Sequence, residues 1–167
     1  NMKKIYTLFL GLSLLACSDE QQVLLDDIKG KWKITSLELY KRTESSTPDS
    51  VVDKSVNRFL DFQQCDSDDL NSRVYACVCY YTEGNNRFTL SYGTIIQPSG
   101  AGQSINLGPT KEGPVKGNPE WDKVATGLMR NFTTVTKTSN KIEMIAPERG
   151  IFSDTTYQKV KMVLSKQ

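Results

Sequence analysis

No histidine occurs in the 167 residues. That absence removes the Ser-His and Cys-His nucleophile systems, which need imidazole as the proton shuttle, and every imidazole-based metal site. Also missing are the Gly-x-Ser-x-Gly elbow, the phosphate-binding loop and the dinucleotide fingerprint. There is no excess of one charge, with 21 basic residues against 19 acidic ones, so the chain has neither the basic footprint of a nucleic-acid binder nor a polybasic patch for anionic lipid. A carboxylate pair is a catalytic device that the composition still leaves. The reading taken is a non-catalytic protein with no cofactor, no catalytic residue, no metal ligand and no nucleic-acid partner.

Long apolar runs are scarce too. The longest, Ile5 to Leu15, is about eleven residues, too short to cross a bilayer, which takes about 20. It follows a positive Met2-Lys3-Lys4 and ends at small Ala16, the anatomy of a secretory leader. Directly after it stands Cys17. Leu14-Leu15-Ala16-Cys17 resembles the lipobox of bacterial lipoproteins. The resemblance implies cleavage before Cys17, a diacylglyceryl thioether on its sulfur and an acyl chain of the palmitate class on its new amino group. Two or more chains give stable anchoring where one does not. Ser18-Asp19-Glu20 resembles the acidic export signal of Bacteroidetes lipoproteins, which implies an outer-membrane address facing the cell surface. Loss of residues 1–16 takes Lys3 and Lys4 with it and leaves 19 basic residues against 19 acidic. The expected organisation is a signal peptide at 1–16, a lipidated tether at 17–29 and one domain at 30–167, a length that suits a single core.

With Cys17 given to lipid, Cys65, Cys77 and Cys79 remain. An oxidising compartment allows them one disulfide and one leftover thiol. Cys77 and Cys79 lie two apart in a strand-like run, on the same face and roughly 6.5–7 Å apart along it, which is poor geometry for a mutual bridge. Cys65 paired with either one is the better arrangement. Cys-x-Cys is not a structural zinc spacing, and the run from Asp66 to Asn71 lacks the ligand and glycine of a calcium loop, so it reads as a solvated acidic turn.

Alternation of apolar and polar residues marks the strands. Trp32 and Ile34 are in one phase and Leu37 and Leu39 in the other, which predicts a bulge near Thr35-Ser36. Leu60 and Phe62 share a face in a strand over 56–64. Residues 74–81 are apolar on both faces, so this strand is covered on both sides. Phe88, Leu90 and Tyr92 alternate cleanly after a turn at Glu83-Gly84-Asn85-Asn86. Ile95-Ile96 and Ile105-Asn106-Leu107 flank a Gly-rich tip, and three strands close the chain near 130–138, 141–146 and 156–166. Residues 21–29 read as a tether or a short helix ended by Gly30. One amphipathic helix is expected at 119–129: Asn118 caps it, Pro119 and Glu120 suit its first turn, and Trp121, Val124, Ala125, Leu128 and Met129 form its apolar stripe.

The sum is a mainly β protein, an antiparallel barrel of about eight strands with one helix near 119–129. Gly30-Lys31-Trp32 at the head of the first long strand resembles the Gly-x-Trp signature of lipocalins and lipocalin-like bacterial domains, which implies a barrel with the Trp plugging one end. The late helix before the final strands, Glu120 to Met129, is also similar to the META domain of small envelope proteins, although the Gly-Cys-Asn motif of that family is missing. A barrel of this size holds one small ligand. Tyr75, Tyr80, Tyr81, Phe88, Tyr92 and Trp121 are the candidates to line its mouth, because aromatic rings with polar tips suit an amphipathic ligand. The alternative is an accessory subunit of an outer-membrane uptake complex of the SusC/SusD type, with the doubly apolar strand at a protein interface.

Overall fold

The computed structural model describes residues 20–68, 77–96, 103–110, 127–147 and 156–167. Helix α1 (Glu20–Ile28) leads into strands β1 (Gly30–Tyr40), β2 (Ser50–Val51), β3 (Arg58–Phe62), β4 (Cys77–Glu83), β5 (Asn86–Ile96), β6 (Gln103–Pro109), β7 (Asn131–Lys137), β8 (Lys141–Ala146) and β9 (Lys159–Lys166). Every neighbouring pair from β3 to β9 is antiparallel, β1 pairs with β3, and β9 returns to pair with β1. These eight strands form a closed antiparallel barrel. Closure leaves no strand edge within the ring to template association. The two-residue strand β2 extends the β1 edge beyond β3, at Glu38 and Leu39. It lies where the sequence reads as polar loop, and two residues carry no periodicity by which to find it.

The bulge expected in β1 is present. Ile34 pairs with Leu164 and Ser36 with Val163, leaving Thr35 as the extra residue. Its hydroxyl donates to the Val163 carbonyl at 3.2 Å. The insertion lets Trp32 and Ile34 below it, and Leu37 and Leu39 above it, all reach the core. A second bulge, in β7 between Thr134 and Thr136, turns Val135 out to 65 % exposure. Three threonines within the run mask that change of phase in the sequence.

Residues 20–28, readable as tether or helix, are helical and packed. Leu25 and Ile28 are fully buried in the same core as the barrel's inward side chains. Gly30 follows with φ +109°, a left-handed conformation that glycine alone adopts cheaply. The chain therefore reverses straight from α1 into β1, and the Trp32 indole Nε1 donates 2.7 Å back to the Ile28 carbonyl. Trp32 is 1 % exposed and sits under α1 at the helix end of the barrel. Of the helix expected at 119–129, the described part is Gly127 and Leu128, which are helical, with Met129 buried next to them. The rest lies outside the described residues, as do the lipobox, Tyr75 and Trp121.

Candidate functional site

Inward side chains make up the barrel's waist. Leu60, Cys79, Leu90, Phe132 and Met162 are fully buried, so the middle of the barrel is packed around them. Strand alternation then decides where each candidate aromatic goes. Tyr81 and Tyr80 are chain neighbours and must face opposite ways: Tyr81 is 3 % exposed and inward, while Tyr80 stands on the outer wall with the Arg87 guanidinium 3.7 Å above its ring. Tyr92 points inward but toward the helix end, where it meets Phe62 edge-on at 5.1 Å and donates its hydroxyl to the Gln63 carbonyl at 2.6 Å. Only Tyr81 and Phe88 come together among the described candidates, their rings stacked with centroids 6.0 Å apart at the end opposite α1. That end of the barrel, the mouth, is the one that α1 does not cover.

The polar groups of the mouth are Arg58 and Glu83, neither of them aromatic. Arg58 opens β3 in phase with Leu60 and Phe62, so its inward position follows from spacing, whereas Glu83 ends β4 in phase with Cys79 and Tyr81, on one of two apolar faces that spacing does not tell apart. Arg58 donates through Nε and Nη2 to Glu83 Oε1 at 3.1 and 2.7 Å, and Tyr81 donates to Glu83 Oε2 at 2.8 Å. The Arg58 Nη1 group also donates to the carbonyls of Asp53 and Val56. One carboxylate thus holds a guanidinium and a phenol. Burial, reinforced by hydrogen bonding and charge from Glu83, pushes the Tyr81 hydroxyl well above the ordinary phenol range. It stays a neutral donor at physiological pH.

Val52, Phe88 and Tyr157 are partly buried hydrophobics laid against the core. Val52 is tied to β1 through its N–H to the Leu37 carbonyl at 3.0 Å, and Tyr157 lies two residues before the start of β9. On the same side of the ring Gly127 lies over Leu37 and Leu39, so close that a Cβ there would come within 3.5 Å of Leu37 Cδ2. Arg130, 2 % exposed, donates to the Tyr157 and Gln158 carbonyls at 2.8 and 3.3 Å. It pins the segment before β9 to the segment before β7. Desolvation lowers its pKa from the usual guanidinium value.

The disulfide joins Cys65 to Cys77, with Cα atoms 5.3 Å apart, and leaves Cys79 free and buried. Register explains the choice. Phe62 pairs with Cys79, and Gln63 N–H donates to the Val78 carbonyl, so the chain leaving β3 runs toward Cys77. No cluster of three or more potential metal-binding side chains occurs among the described residues. No protein-family model matches the chain, and no curated protein or solved structure shows significant similarity to it.

Proposed function

We propose that this chain is a lipid-anchored lipoprotein of a bacterial outer membrane, held through Cys17 at the cell surface, whose barrel is a lipocalin-like, non-catalytic binding module for a small amphipathic ligand. The observation that carries the ligand reading is the grouping at the mouth: Val52, Phe88 and Tyr157 offer partly buried apolar surface beside a fixed polar set, Tyr81, Arg58 and Glu83. Apolar walls with a few converging polar groups are what small-molecule sites are made of. In this reading the ligand sits at the mouth rather than deep in the barrel, which the packed waist supports, and Tyr92 and Tyr80 are not part of the site.

Titration with an anilinonaphthalene sulfonate probe tests this. The probe should gain fluorescence on the wild type, and Phe88→Ala should weaken its binding about tenfold, the equivalent of roughly 1.4 kcal/mol. Equal binding by both proteins, or none by either, would place the ligand elsewhere. The anchor is tested by intact mass, which should exceed that of residues 17–167 by a diacylglyceryl group and an acyl chain. A Cys17→Ser protein should be released from membranes, and a soluble wild type would refute the anchor.

A second reading, accessory subunit of a SusC/SusD-type uptake complex, draws on the outer wall. Val78 and Tyr80 of β4 and Phe59 of β3 face outward and are half-buried. Lys31 covers the Phe59 ring at 4.3 Å as Arg87 covers Tyr80. Arg and aromatic side chains are enriched at interface cores. Detergent extraction that repeatedly yields the lipidated protein alone would count against it.

A further inference from the structure

Four large hydrophobic side chains are well exposed among the described residues: Val23, Val51, Ile95 and Val135. Scattered singly they would need no explanation, but three of them share one rim. Ile95 pairs with Ser104, and Ser104 with Thr133, so Ile95 and Thr133 stand in one row of the outer wall across β5, β6 and β7, on either side of the buried Ser104. Val135 lies two residues nearer the helix end than Thr133 and is pushed out by the β7 bulge. Helix α1 crosses this side of the barrel: Gln21 donates to the Thr94 carbonyl at 2.9 Å, and Lys137 Nζ donates to Asp27 at 2.8 Å. Val23 is one helical turn before Asp27 and on the same face, which brings it to the flank that looks toward β7.

The covalent chain adds a second constraint. From Cys17 to Glu20, the first residue of α1, there are three Cα steps, at most about 11 Å when fully extended. The residue proposed to carry the lipid therefore cannot be far from the apolar rim. We infer that the helix-end rim formed by Val23, Ile95 and Val135 lies in the interfacial zone of the bilayer that holds this chain's own anchor, with the mouth directed away from the membrane. The occupant of the rim is the lipid surface. Lys137, the described ammonium that bridges α1 to β7, is matched by Asp27, and Lys141 on the adjoining hairpin by Glu143, so the contact proposed is carried by the apolar side chains. Three aliphatic side chains are too few to hold the protein without acyl chains. The anchor holds them at the surface by raising their local concentration. Val51, on β2 at the far end, is equally exposed and serves as the internal comparison.

This inference rests on the lipoprotein reading, and the experiment separates the two. Ile95→Cys, Val135→Cys and Val51→Cys are each labelled with an environment-sensitive fluorophore in the full lipidated chain. With Cys17 in a thioether, Cys65 and Cys77 bridged, and Cys79 buried, the new thiol is the reactive one. Each protein is reconstituted into phosphatidylethanolamine vesicles with and without brominated acyl chains. The labels at 95 and 135 should shift to the blue and lose emission to the brominated lipid, while the label at 51 does neither. Protein that floats with the vesicles while all three labels respond alike, or while only the label at 51 responds, overturns the membrane contact and leaves the anchor standing. Protein that does not float refutes the anchor, and the contact with it.

Discussion

Cys79 is the side chain whose behaviour is most sharply set by its surroundings. Fully buried in the waist, its thiolate would have to form without solvent, and burial drives the thiol far above its ordinary pKa. Since only the thiolate reacts readily, native protein treated with iodoacetamide at mildly alkaline pH should show no added mass, and protein in denaturant should show one modification. Modification of the native state would mean that the waist opens. The tyrosines give a pH dependence of the same origin. The hydroxyls of Tyr81 and Tyr92 are pushed up by burial, in Tyr81 with help from Glu83 and in Tyr92 from Cys79 and Asp26, and Tyr40 is pushed up to about 12 by burial and by Glu38. A folded-state pKa above the unfolded one stabilises fully below the unfolded value, near 10 for a phenol, and that contribution is lost as pH rises beyond it. The melting temperature should therefore fall above about pH 10, and Tyr81→Phe should make the fall shallower. An unchanged slope would show that Tyr81 already ionises freely in the fold. Which tyrosines are buried was half legible: alternation separates Tyr80 from Tyr81, but it does not say which of the two faces is inside.

At the scale of elements, α1 departs furthest from its sequence pattern. Gln21, Gln22, Asp26 and Asp27 make it look solvated, and nine residues would not hold a helix in isolation. Tertiary contact supplies what propensity does not, because Leu25 and Ile28 close the barrel over Trp32 and the Ile28 carbonyl accepts a hydrogen bond from the indole N–H. A chain beginning at Gly30 would lose both buried side chains and leave the indole N–H without its acceptor. Truncating a single Leu or Ile in a core costs about 2–5 kcal/mol, so this chain should unfold at a clearly lower urea concentration than one beginning at Glu20. Equal midpoints would make α1 a passive tether. The Cys65–Cys77 bridge shows a similar limit. Spacing ruled out the Cys77–Cys79 pair, yet the choice between the remaining two depends on the register of β3 against β4, a pairing that no local pattern encodes. The Arg58–Glu83 pair is the same case, since Arg58 had a readable phase with Leu60 and Phe62 while its meeting with Glu83 depended on that same register.

At the scale of the molecule, what the strand periods do not contain is the ring. Eight amphipathic strands also suit an open sheet or a sandwich, and closure here depends on β9 reaching β1, with Leu164 opposite Ile34 and Lys159 opposite Tyr40. These partners are nearly the whole chain apart, so the pairing carries a large loop-closure cost and belongs to the slow-folding, non-local class. It follows that β9 cannot be treated as a dispensable terminal strand. A chain ending at Gln158 would strip the inward Val160, Met162 and Leu164 from the core, each fully buried. It would also leave β1 and β8 as long unpaired edges, a template for association between chains. The expected outcome is loss of the cooperative thermal transition, with the protein eluting as aggregate in size-exclusion chromatography. A monomeric product that still melts cooperatively would show that the remaining strands are held by their hairpins and by α1 alone, and that ring closure is not what stabilises the barrel.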